Sequence, residues 1–236
     1  NKIADYLIKP VNPHHILLSI KKNLHSEQLV SQQATSDYQQ EFARITSLIN
    51  DSYTIEDWYE LYSKLVFWEL QLATADTNMD ELLDMQKIEA NAAFAKWVKR
   101  NYEKWVTGGE HPLMSHELFK TKVFPLLDNG DKVFFILIDN FRLDQWRVVK
   151  PILSEYFTFD EDLYCSILPT ATQYARNAIF SGLMPLQIAR MFPDLWVDEE
   201  SEEGKNLNES PLIATQFERY RRRCRFSYNK INDSVA

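Results

Sequence analysis

Residues 132–139 read KVFFILID, and residues 163–170 read LYCSILPT. Each is a near-continuous apolar run that stops at a polar residue. A strand with one wet face alternates apolar and polar residues, whereas a strand covered on both faces does not. Such runs therefore read as buried parallel strands. A helical stretch follows each: NFRLDQWRVVKPILSEYF (140–157), with Pro151 as a point of kinking, and TATQYARNAIFSGL (170–183). Further on, PLIATQFERYRRRCR (211–225) reads as a helix and RFSYNKI (225–231) as a third strand. Strand alternating with helix predicts an α/β domain with a mainly parallel sheet.

Upstream the pattern differs. No segment from about Glu27 to Gly108 alternates as a strand does. A polar helical stretch over 27–40 leads into Tyr38, Phe42, Ile45 and Ile49 on one face. Thr54 with Asp57 predicts a capped helix start. Trp58, Leu61, Tyr62, Leu65, Trp68 and Leu72 follow at helical spacing. Asn78 with Glu81 reads as a second capping box, and Met85, Ile88, Ala92, Ala95, Tyr102 and Trp105 as the next apolar stripe. Gly108-Gly109 ends it. Three amphipathic helices with short connections predict an all-α bundle. Ser115 to Leu127 reads as one more helix, and DNGD (128–131) as a turn.

The 236 residues carry a net charge of −8, which weighs against non-specific nucleic-acid binding by charge alone. The two cysteines, Cys165 and Cys224, form no CxxC pair. That excludes a disulfide scaffold and points to a reducing, cytoplasmic setting. No stretch is long and apolar enough to span a bilayer, so no membrane insertion is expected.

Ligands of open α/β sheets bind beyond the carboxyl ends of the strands. Asp139 and the pair Thr170 and Thr172 stand at such ends. A carboxylate there serves equally as a metal ligand or as a helix cap, and a threonine equally as a cap or as a nucleophile. Arg142 and Arg176 sit in the first turns of the helices that follow, suited to phosphate oxygens or to ordinary ion pairs, with Asp144 at hand for Arg142. The basic run 219–225 reads as a helix end, and the acidic run 198–203 as a solvated loop.

Two resemblances sharpen this. FFILIDNFRLDQW followed by LPTATQYARNAIFSG resembles the PglZ domain, a branch of the alkaline phosphatase superfamily. It implies that Asp139 is a metal ligand and that Thr172 is the nucleophile and a co-ligand; Arg142 and Arg176, from their positions, are the candidates for binding substrate. The implied metal is Zn²⁺, with Mg²⁺ or Mn²⁺ as options. That superfamily takes further Asp and His ligands from later in the chain. All five histidines, at 14, 15, 25, 111 and 116, precede Thr172. The expectation is either a chain cut within the domain or a degenerate site.

ADYLIKPVNPHHILLSIKKNL (4–24) resembles the last strand and helix of a response-regulator receiver domain. That implies Lys9 as the lysine that senses a phosphorylated aspartate, with Mg²⁺ in the upstream part of the receiver. The expected organisation is a receiver tail over 1–25, a helical-bundle linker over 26–110 and the first part of a PglZ-like domain over 111–236. This order resembles the PorX-type response regulators. The resemblance implies a sensor histidine kinase and an alternative sigma factor as partners, and a nucleotide or oligonucleotide substrate. It also implies a link to type IX protein secretion. A homodimer is compatible with it. The competing class is a non-catalytic PglZ-like binding or dimerisation module.

Overall fold

The computed structural model describes residues 13–73, 79–197 and 207–231. Two compact units emerge. One comprises residues 1–107 and 140–160, the other residues 108–139 and 161–236. Among the described residues the secondary structure is helical, and no strand ladder forms. Lys9 and the predicted first strand lie outside the described residues, as do Asn78 and the acidic run.

The first unit is the bundle. Helix α1 runs unbroken over Pro13–Asp51. The sequence reads there as two helical stretches, but no Gly or Pro interrupts it after Pro13, and nothing else ends a helix so firmly. Helix α2 (Ile55–Leu72) starts at the predicted capping box. The Asp57 amide N–H donates to Thr54 Oγ1 at 3.2 Å, and Asp57 Oδ2 accepts from the amides of Thr54 and Tyr53 at 2.8 and 2.9 Å. Those two donors hold the Asp57 carboxyl below its ordinary pKa.

Helix α3 spans Asp80–Val106, with Met79 at its cap position and no side-chain cap bond. Its buried face is Leu83, Gln86, Ala90, Trp97 and Trp105. Trp105 of the predicted stripe lies on this face, but Met85 and Ile88 do not, at 65% and 71% exposed. The reason is a polar residue in the core. Buried Tyr38 donates to Gln86 Oε1 at 2.9 Å, and Gln86 Nε2 donates to Phe42 O and Thr46 Oγ1 at 3.0 and 2.9 Å. A fully bonded glutamine can be buried, and apolar counting alone misses it. Ile45, Leu61, Leu65, Trp68 and Leu72 are buried in the same unit, with the Trp68 ring 5.4 Å from that of Tyr38. Helix α5 (Leu143–Leu153), which contains Pro151, contacts α2 in this unit.

The second unit begins with an irregular helical passage. A 3₁₀ turn at Ser115–Glu117, a π-turn at Phe119–Val123 and helix α4 (Phe124–Asp128) fill the predicted helix 115–127. Pro125 supplies no N–H and crowds the preceding turn, so a regular i→i−4 ladder cannot run through it. Helix α6 (Thr172–Ser181) ends at Gly182, which is left-handed at φ +63. Helix α7 (Pro185–Met191) and helix α8 (Glu209–Arg219) follow. Phe119, Phe124, Phe180, Leu212 and Phe217 form the core of this unit, with α6 packed on α8.

The three predicted strands appear as chain without a ladder. In 132–139, Val133 and Leu137 pack on the core and Phe135 meets Phe119 at 4.7 Å between ring centroids. Phe134, Ile136 and Ile138 are exposed. That is the period-two alternation of a strand with one bare face. Strand pairing needs a neighbour for each row of N–H and C=O groups. Among the described residues the one β-bridge is parallel, between Met114 and Cys165, with the Cys165 N–H donating to Leu113 O at 2.9 Å.

Candidate functional site

The site lies in the second unit, where the end of the 132–139 run meets the first turns of α6. Helix α6 has Ala171 at its cap position and no side-chain cap bond. The capping role open to Thr170 and Thr172 is therefore not used. Thr172 is the first helical residue, half-buried. It stands where the free N–H groups and the positive end of the helix dipole favour an anion.

One turn further along α6, Arg176 binds Asp139. Its Nη1 donates to Asp139 Oδ2 at 3.0 Å. Its Nη2 donates to Glu209 Oε2 at 2.9 Å and lies 2.6 Å from Glu209 Oε1. Glu209 is the first residue of α8 and wholly buried. Asp139 is about half exposed, at 54% for the side chain. The Tyr228 hydroxyl donates to Glu209 Oε2, and burial together with that bond pushes the Tyr228 pKa up to about 12. The local order is thus Tyr228, Glu209, Arg176, Asp139, with Glu209 the wholly buried member and exposure rising from it through Arg176 to Asp139.

The structure brings Asp139 and Arg176 together and places Thr172 on the same helix as Arg176. It places Arg142 differently. Arg142 belongs to the bundle unit and makes a bidentate pair with Asp144, Nε to Oδ1 at 3.0 Å and Nη2 to Oδ2 at 2.7 Å. That pair raises the Arg142 pKa and lowers that of Asp144. In the basic run, Arg219 donates to Ser181 O and Arg222 to Asp128, so both tie the fold of the second unit.

Glu209 was not among the residues singled out from sequence, although a signal exists. Glu209, Leu212, Ile213 and Gln216 follow the i, i+3, i+4, i+7 spacing of one helical face, and all four are buried. An acid at the head of an apolar stripe points to a buried carboxylate that needs a counter-ion.

A metal centre is a separate question. Among the described residues no three His, Cys, Asp or Glu side chains cluster as a metal site. Asp139 brings a single carboxylate, already paired with Arg176. These residues alone do not fit a two-metal centre, which needs a larger set of oxygen and nitrogen donors.

With the geometry in hand, the chain can be compared with known families. Residues 28–106 match the PorX response regulator linker domain, and residues 118–234 match the BREX system PglZ alkaline phosphatase-like domain. A search of curated proteins gave no match. Together the two domains define a response regulator with an alkaline phosphatase-like effector. The chain belongs to the PorX-type response regulators that carry a PglZ effector domain. Among the described residues, no helix is long and apolar enough to cross a membrane.

Proposed function

We propose that the effector half is a phosphodiesterase-like domain acting on nucleotide-type phosphodiesters. The single observation that carries this reading is the Arg176–Asp139 contact at 3.0 Å. It joins the end of the first apolar run to the helix headed by Thr172. Thr172 attacks phosphorus, its hydroxyl proton and the leaving alkoxide depart as an alcohol, and a phosphoryl-threonine ester forms. Water then cleaves that ester, restoring the hydroxyl and releasing the phosphate monoester. The uncapped end of α6 favours the negative charge that develops. Arg176 contributes guanidinium donors for phosphate oxygens. Arg142 remains a second candidate for substrate, reached only by giving up Asp144.

The metal that the PglZ resemblance implies is Zn²⁺, or Mg²⁺ or Mn²⁺; Asp139 and Thr172 would be two of its ligands and would need further donors to complete a site. The sheet of the domain is mainly parallel. The two apolar runs and the parallel bridge at Met114 and Cys165 support that arrangement. Family membership supports the remaining assignments. These are a cytoplasmic regulator in type IX protein secretion, phosphorylated by a sensor histidine kinase in a Mg²⁺-dependent receiver where Lys9 senses the phosphate. A sigma-factor partner and a homodimer belong to the same reading.

The test is hydrolysis of bis(p-nitrophenyl) phosphate, and of cyclic and linear oligonucleotides, by the full-length protein with Zn²⁺. Wild type turns over and Thr172→Ala does not. If wild type does no better than Thr172→Ala, the domain is a binding or dimerisation module and the catalytic reading fails.

A further inference from the structure

Arg176 is held between two carboxylates that differ in kind. Glu209 is fully buried and Asp139 is half exposed. A buried carboxylate cannot leave its counter-ion without a large desolvation cost, so the Glu209 end of the contact is fixed. The Tyr228 hydroxyl fixes it further by occupying Glu209 Oε2. The buried Nε of Arg176 has no hydrogen-bond partner, so the Glu209 contact is what sets the plane of the guanidinium from within. The Asp139 end is partly solvated and can exchange at little cost.

Charge gives the arrangement a sign. One cation faces two anions, so the cluster carries a net charge of −1 and repels a phosphate. Removing the Asp139 charge brings the cluster to neutrality and frees Nη1, while Glu209 keeps the guanidinium in place. We infer that Arg176 is a gated anion clamp: Glu209, braced by Tyr228, is the positioning residue that aims it, and Asp139 blocks it until its charge is taken up. This rests on the reading that Asp139 and Arg176 belong to the effector site, and it adds the order of events there. Phosphate-oxygen affinity rises once the Asp139 charge is taken up.

The test is binding of inorganic phosphate to the full chain in the presence of a chelator, by calorimetry, with no turnover involved. Asp139→Asn binds phosphate about tenfold more tightly than wild type, the order expected for removing one nearby charge at a partly solvated site. Adding Arg176→Met to Asp139→Asn abolishes the gain. Adding Glu209→Gln to Asp139→Asn also reduces it about tenfold. That last sign is the discriminating one, because deleting another negative charge without a positioning role tightens anion binding instead. Tyr228→Phe in the Asp139→Asn background gives a smaller loss and serves where Glu209→Gln lowers the yield of folded protein. Two results overturn the inference: no gain in Asp139→Asn, or a gain that Glu209→Gln and Tyr228→Phe leave unchanged or enlarge. The hydrolysis comparison with Thr172→Ala fails or succeeds independently of either.

Discussion

Gly182→Ala is the sharpest test of how the site helix is anchored. Gly182 closes α6 at φ +63, a conformation that costs a side chain about 1 kcal/mol. A Cβ there would also lie 2.7 Å from Gln216 Oε1 and 2.8 Å from Gln216 Cδ. Gln216 cannot yield freely. It is buried, and its Nε2 donates to Ile179 O at 3.0 Å and to Phe180 O at 2.7 Å, tying α8 to the last turn of α6. Displacing it forfeits two buried hydrogen bonds, about 2 kcal/mol together. Alanine restricts the unfolded chain and returns about 0.5 kcal/mol. The net loss is about 2–3 kcal/mol. Gly130 is the control, since its φ is +84 but nothing lies within 4 Å of its added Cβ. Gly130→Ala therefore costs about 1 kcal/mol or less. Hydrogen exchange of the α6 and α8 amides reads the stability of this unit separately from the bundle. If Gly182→Ala is as mild as Gly130→Ala, the Gln216 anchor is wrong.

Other consequences follow from the bundle and the site. Tyr38→Phe strands Gln86 Oε1 in the core and destabilises the bundle by about 1–3 kcal/mol, read by denaturant unfolding. Burial also pushes the Tyr38 pKa up to about 12, so absorbance titration finds one tyrosine that resists ionisation well past the ordinary value, and the stability it contributes is lost as pH rises through that range. Thr54→Ala removes a helix cap and costs about 1 kcal/mol. Asp57 contributes with the opposite pH sign: its lowered pKa gives stability above the ordinary aspartate range that is lost as pH falls through the folded value, so Asp57→Asn flattens the acid limb of the unfolding curve. Thr172→Ala leaves stability within about 0.5 kcal/mol, because Thr172 caps nothing.

Much of this was legible where local chemistry decides. The Thr54–Asp57 box follows from a short pattern, and so does the place of Asp139 at the end of one apolar run and of Arg176 early in the helix after the other. The misses have one cause: they depend on what a residue meets far along the chain. The α3 face turned on Gln86 finding Tyr38, which an apolar count cannot see. Glu209 lay in a polar segment whose burial comes only from α8 packing on α6. The apolar runs 132–139 and 163–170 carry strand patterning, but a ladder is made between segments and not within one. Arg142 had a local partner in Asp144, two residues away, and took it.

Acid trapping during turnover tests Thr172 as the nucleophile. The full-length protein is quenched in acid during turnover of a phosphodiester with Zn²⁺, digested, and the peptide containing residues 168–185 is sequenced by mass spectrometry. A phosphoryl adduct is expected on Thr172, absent without substrate and absent in Thr172→Ala. Turnover that persists in Thr172→Ala, or an adduct carried by another residue, contradicts it.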